Sequence, residues 1–99
     1  MPYRVELIPE AERSLAAIPV KHQRQIAKKI DLLTENPRPL GCKKLQGADH
    51  LYRVASGVYR IVYQIHDNTL TVLVVRIADR KDVYRRLSDY RGVEAKPIP

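Results

Sequence analysis

The sequence predicts an α+β domain: an N-terminal helical hairpin packed on a mostly antiparallel β-sheet, in the order β-α-α-β-β-β-α. Three observations predict it. Apolar residues recur at helical spacing between positions 9 and 34. Three β-patterned stretches then follow one another after position 50, separated only by "SG" and "HDNT", both good hairpin turns. And 99 residues, 44% of them apolar, suffice for one modest core and not for two.

"YRVELI" (3–8) alternates as a first strand, with Tyr3, Val5 and Leu7 on one side. Pro9 suits the first turn of a helix, and Glu10 and Glu12 sit where a helix dipole welcomes anions. Ala11, Leu15 and Ile18 give that helix one apolar stripe, and "IP" at 18–19 breaks it. A second helix runs from about 20 to 34, with Ile26, Ile30 and Leu33 inward and a basic outer face of Lys21, Arg24, Lys28 and Lys29. "ENPRP" stops it, because a residue before proline disfavours the α region. A long loop over 35–50 carries two prolines, two glycines and the pair Lys43–Lys44. Strands are expected at 51–55, 58–66 and 69–77, then a short helix over 79–90. The domain is thus expected to span 1–90, followed by a polar tail, 91–99, not ordered by itself.

Composition narrows the function. The longest apolar run, the interrupted "TLTVLVV", falls short of the ~18 residues of a membrane span, and the N-terminus lacks signal-peptide character, so a cytosolic protein is expected. Cys42 is the only cysteine, which agrees with a reducing compartment. A formal charge of +7 attracts polyanions: nucleic acid, an acidic partner or an anionic membrane surface. His22, His50 and His66 have no metal-ligand spacing, and no phosphate-cradling glycine loop is present. Paired catalytic carboxylates are unpersuasive, since most Asp and Glu fall on helix surfaces or in turns. Arginine and tyrosine are what remain.

"LYRVASGVYRIVYQI" (51–65) concentrates them. A turn centred on Ser56 and Gly57 sets Arg53 opposite Arg60. At about 5 Å and an effective dielectric of roughly 20, that repulsion is on the order of 3 kcal/mol. Alternation sends Tyr59, Ile61, Tyr63 and Ile65 toward the helices, and Arg60, Val62 and Gln64 with Arg53 to the other face, expected to be at least partly open to water. Arg80, Lys81, Tyr84, Arg85 and Arg86 follow the last strand. Such a face favours a phosphate between guanidinium forks. The alternative is that Arg53 and Arg60 splay into solvent or pair with Asp79 or Asp82.

"KKLQG", then "YRV…GVYRIVYQI", then "VLVVRIADRKDVYRR" resemble the RelE/ParE superfamily of bacterial toxin–antitoxin systems, the RelE branch more than the ParE branch, over residues 3–88. The resemblance implies a compact sheet with an N-terminal helical hairpin, and a toxin that enters the ribosomal A site and cuts messenger RNA there without metal or cofactor. It also implies a cognate antitoxin that wraps and blocks the toxin in a hetero-oligomeric complex. Carried over by motif, Arg53 is a basic active-site residue, Arg60 binds phosphate and serves catalysis, Arg80 follows the last strand, and Tyr84 stacks on a base. Lys43, Lys44, Lys81 and Arg85 are then expected to bind RNA. Two departures stand out: Ala55 occupies a position that is basic in the best-known members, and Ala78–Asp79 replaces a glycine-histidine pair common in relatives.

The implied reaction is attack of a ribose 2′-OH on the adjacent phosphate, leaving a 2′,3′-cyclic phosphate. Arg60 is the choice for transition-state charge, Arg80 for the leaving oxygen, although a guanidinium is a weak acid near neutrality. His66 is expected to lie too far away to act as base. Two rivals remain: a ParE-type inhibitor of DNA gyrase, and a catalytically inert basic module.

Overall fold

The computed structural model describes residues 2–45 and 51–83. The chain begins with β1 (Arg4–Leu7), turns at Ile8 and enters α1 (Pro9–Ala16) with proline in its first turn, as its fixed φ permits. A second helix, α2, covers Val20–Glu35. Four strands follow: β2 (Lys43–Lys44), β3 (Leu51–Ser56), β4 (Tyr59–His66) and β5 (Thr71–Asp79). The sheet order is β1-β5-β4-β3-β2; β1 pairs parallel to β5 and every other pair is antiparallel. The expected α+β architecture is therefore the observed one, with an additional edge strand inside the stretch expected to be loop.

Both helices cover one face of the sheet. Ala11, Ile26, Ile30 and Leu33 pack against Val54, Ile61, Tyr63, Ile65, Val72, Val74 and Ile77. These are the helix stripes and the strand face that periodicity selects. At the centre, Tyr63 is fully buried, its ring stacked on Tyr52 at 6.1 Å and its hydroxyl donating to the Pro37 carbonyl at 2.7 Å. That bond ties the chain leaving α2 to the middle of the sheet.

The opposite face is less open than its polar residues suggest. Leu45, Leu51, Val62, Val75 and Val83 form a second, smaller core there. β5 carries a β-bulge: Val62 pairs with Arg76 but Tyr63 pairs with Val74, so Val75 is left over. Ordinary alternation sends Val74 to the larger core and Val75 to the smaller, and the bulge puts Val75 and Arg76 on the same side of the sheet.

Both boundaries of β5 move for identifiable reasons. A single 3-10 turn at Asp67–Thr69 and a left-handed Leu70 (φ 49°) delay β5 to Thr71. At the other end β5 runs through Asp79, so the helix expected from 79 does not begin there. Arg80–Val83 form a turn in which Asp82 and Val83 donate to the Asp79 carbonyl, and the rest of that expected helix lies outside the described residues. The α2 charges also run against its dipole: Lys21 stands in the first turn with no acid there, and Glu35 in the last with no base. Each misplacement costs about 0.3–1 kcal/mol.

Two tyrosines make the fold alkali-sensitive. Burial, followed by the neighbouring Cys42 thiol, pushes the Tyr63 phenol well above its ordinary 10.0. The Tyr3 phenol is raised chiefly by its 2.6 Å hydrogen bond to Asp67. A folded-state pKa above the unfolded one gives stability that is complete below about pH 10 and is lost as pH rises through the folded value. Thermal melts should accordingly show Tm falling steeply above about pH 10, and Tyr63→Phe should remove the larger part of that fall. A Tyr63→Phe profile parallel to the parent would contradict this assignment.

Candidate RNA-binding face

The β3–β4 hairpin closes through Gly57 and Val58, with Ser56 paired to Tyr59. Gly57 has φ +61° and Val58 is not in the left-handed region. Glycine at the first central position suits a type II′ turn. Centring the turn on Ser56 would instead have required serine at positive φ, which explains why the register differs from expectation by two residues. Arg53 consequently pairs with Val62, and Arg60 with Ala55.

The two arginines still share a face, but diagonally rather than head-on. Diagonal neighbours are separated by about 7–8 Å, which lowers the repulsion to roughly 2 kcal/mol at the same dielectric. Arg60 is flanked by small residues on both sides, Ala55 on β3 and Ala78 on β5. Its Nη1 donates to the carbonyls of Gly57 (2.9 Å) and Tyr59 (3.0 Å), which draws the guanidinium toward the hairpin turn. Arg53 is half-buried, and its Nε is buried with no hydrogen-bond partner among the described residues. A buried charged donor left unmatched costs upwards of about 1–3 kcal/mol, so this face gains by receiving an acceptor.

Arg80 is exposed just past β5, and its N–H donates to the Val58 carbonyl at 2.8 Å. The β4–β5 ladder thereby continues one step and puts Arg80 at the Arg60 end of the sheet. Lys81 is exposed beside it, its N–H bonded to the Asp79 carboxylate at 2.8 Å. Asp79 therefore shapes the turn. Among the described residues no ion pair joins Asp79 to Arg53 or Arg60.

The basic pair on β2 divides. Lys43 pairs with Arg53 and belongs to the arginine face, whereas Lys44 pairs with Tyr52 and belongs to the helix-covered side. Both lysines are exposed, and because adjacent strand residues point to opposite faces they do not share one side of the sheet. Tyr84 and Arg85 lie outside the described residues. His66 is six residues along β4 from Arg60, about 20 Å at strand rise, so it is as remote as expected. It bonds Gln64 at 2.9 Å, next to a cleft of about 410 Å³ lined by Ile65 to Thr69, at the far end of the sheet from the arginines.

Two arginines were not anticipated. Arg76 pairs with Val62, completing a row Lys43–Arg53–Val62–Arg76 across the arginine face; its Nη2 lies 4.0 Å from Glu10 of α1. The i, i+2, i+4 spacing of Arg76, Ala78 and Arg80 was a sufficient signal. Arg38 clamps Asp67 with two nitrogens (3.2 and 2.9 Å), and its Nε donates to the Tyr52 hydroxyl at 3.3 Å. These contacts hold the guanidinium above its ordinary pKa, the Asp67 hydrogen bond first. Arg38 fastens the loop after α2 to the end of β4, and nothing local in the sequence announces partners 14 and 29 residues away.

Residues 5–84 match the family model described as the ParE toxin of the type II toxin–antitoxin system, parDE. The chain is 33% identical over 94 residues to a putative RelE-like toxin protein of Escherichia coli, covering 90% of this chain and 97% of that protein. It is 30% identical over 90 residues to toxin RelG of Mycobacterium tuberculosis, covering 87% and 100%. Among solved structures it is similar to a chain of the archaeal RelE–RelB complex from Pyrococcus horikoshii OT3, with TM-score 0.73 and 26% identity over 84% of this chain and 100% of that one.

Proposed function

This chain belongs to the ParE toxin family of type II toxin–antitoxin systems, and from that premise we propose that it is a RelE-type endoribonuclease that cuts messenger RNA in the ribosomal A site. The observation that carries the reading is the gathering of Arg53, Arg60 and the Arg80 backbone at one end of one sheet face, with a buried Arg53 nitrogen that has no acceptor among the described residues. A phosphodiester supplies that acceptor. Arg60, between two alanines, has room to swing from the hairpin carbonyls to a phosphorane-like transition state. Arg53 holds a non-bridging oxygen from the neighbouring strand, and Arg80 faces the leaving 5′-oxygen. Lys43 and Lys81 extend the positive track to either side, and Tyr84 and Arg85 complete the site as base platform and phosphate contact.

The role of these groups is charge stabilisation and alignment of the 2′-OH with the phosphorus, independent of metal, with the ribosome orienting the RNA. The toxin acts in the cytoplasm, and a cognate antitoxin covers it in a hetero-oligomer; the Pyrococcus relative, crystallised as a RelE–RelB complex, supports that partner.

A reconstituted translation reaction tests the reading. Ribosome-bound mRNA should be cut, leaving a 2′,3′-cyclic phosphate, and a 2′-deoxy substitution at the cleaved nucleotide should abolish the cut. Gyrase inhibition without mRNA cleavage would instead assign the chain to the ParE activity, and cleavage of the deoxy substrate would rule out 2′-OH attack.

A further inference from the structure

The arginine face does not account for the basic face of α2. Lys21, Arg24 and Lys28 are all exposed, and at 100° per residue their mean direction is opposite that of the buried Ile26, Ile30 and Leu33. They stand in a straight row about 10 Å long, directed away from the sheet. Among the described residues none of the three has a carboxylate partner, although Arg24 and Lys28 are like charges one turn apart, a spacing that destabilises an isolated helix. Lys21 also opposes the helix dipole. The row therefore does nothing for α2 that a neutral row would not do better.

We propose that Lys21, Arg24 and Lys28 form a second RNA-docking surface, which grips the phosphate backbone of a folded, double-helical RNA. It lies on the opposite side of the molecule from the arginine face, with the helix layer and the sheet between them, so the two surfaces engage different RNA segments. The chemistry of the row selects the backbone over the bases. Its exposed companions are Gln25, Ala27, Asp31, Leu32 and Glu35, with no aromatic ring to stack on an open base. The one ring nearby in sequence, His22, is packed on Tyr59 at 5.3 Å. Nor does the helix offer a protein partner an apolar anchor: its exposed Val20 and Leu32 are about 18 Å apart, one at each end.

The test is binding of a mixed-sequence RNA duplex by fluorescence anisotropy across a salt series. The stripe variant Arg24→Gln/Lys28→Gln is compared with a charge-matched control, Arg4→Gln/Arg13→Gln, whose residues are exposed elsewhere. The stripe variant should lose about tenfold or more in affinity near 0.1 M salt, and its log–log salt slope should fall by about two units. The control should lose little of either. Equal losses in both variants would reduce the row to diffuse charge and overturn the proposal. Unchanged duplex binding with weakened binding of the cognate antitoxin would overturn it in favour of an acidic protein surface. Thermal melts supply the second reading: the stripe variant should melt at or above the parent temperature, and a marked drop would show the cations to be structural. Duplex binding requires no cleavage, so this surface stands or falls separately from the nuclease reading.

Discussion

Replacing Arg60 with alanine should lower ribosome-dependent mRNA cleavage about a thousandfold while leaving a folded protein. The size follows from removing a preorganised donor aimed at developing charge, where losses of 10²–10³ or more are typical. The fold should survive because the side chain leaves no large cavity: it is half-buried between Ala55 and Ala78, and its hydrogen bonds go to carbonyls at the hairpin turn. The stability cost should be about 1 kcal/mol. Arg60→Lys keeps the charge but not the planar fork, so it should recover only part of the activity. Single-turnover cleavage on ribosome complexes, with a thermal melt beside it, checks both halves. Near-normal cleavage by the alanine variant would remove Arg60 from the mechanism.

The largest effect on stability is expected from Tyr63→Ala. The residue is fully buried in the main core, stacked on Tyr52, and bonded through its hydroxyl to Pro37. Truncating a buried aromatic costs about 3–5 kcal/mol, a large share of the 5–15 kcal/mol that holds a domain together. Tyr63→Phe separates the contributions, since it keeps the ring and deletes only the bond to the Pro37 carbonyl, for about 1–2 kcal/mol. Chemical denaturation of both variants is the measurement. A loss under about 2 kcal/mol for the alanine variant would mean that the core closes over the gap, and that Tyr63 is not its centre.

How much of this was legible in the sequence depended on the range of the interaction. The helices, the strand face that packs on them and the order of elements follow from periodicity, because a 3.6-residue or 2-residue repeat is a local property of Ile26, Ile30, Leu33, Ile61 and Ile65. Features set by a single dihedral or a single register step were not so visible. The choice between Ser-Gly and Gly-Val as turn centre moved Arg53 from opposite Arg60 to diagonal, without changing which face either occupies. The two residues of β2 carry no pattern of their own, and only pairing with β3 sends Lys43 and Lys44 to different sides. A run such as "VLVV" gives no hint of a bulge. Arg38 and Asp67, brought together across 29 positions, meet through tertiary structure alone. The arginine face itself was visible early, since alternation along β3 and β4 fixes it whichever turn is chosen.

The parallel pairing of β1 with β5 also bears on when the protein can first act. Residues 4–7 find their hydrogen-bonding partners only at 71–74, and β5 in turn bonds β4. The N-terminal strand therefore has no ladder to join until residues 71–74 have been made, and closing so long a loop is what slows a topology of this kind. For a protein whose proposed target is the translating ribosome, the consequence is one of order: Arg60 and Arg80 cannot be brought to the same end of the sheet until β5 has been made and has paired with β4.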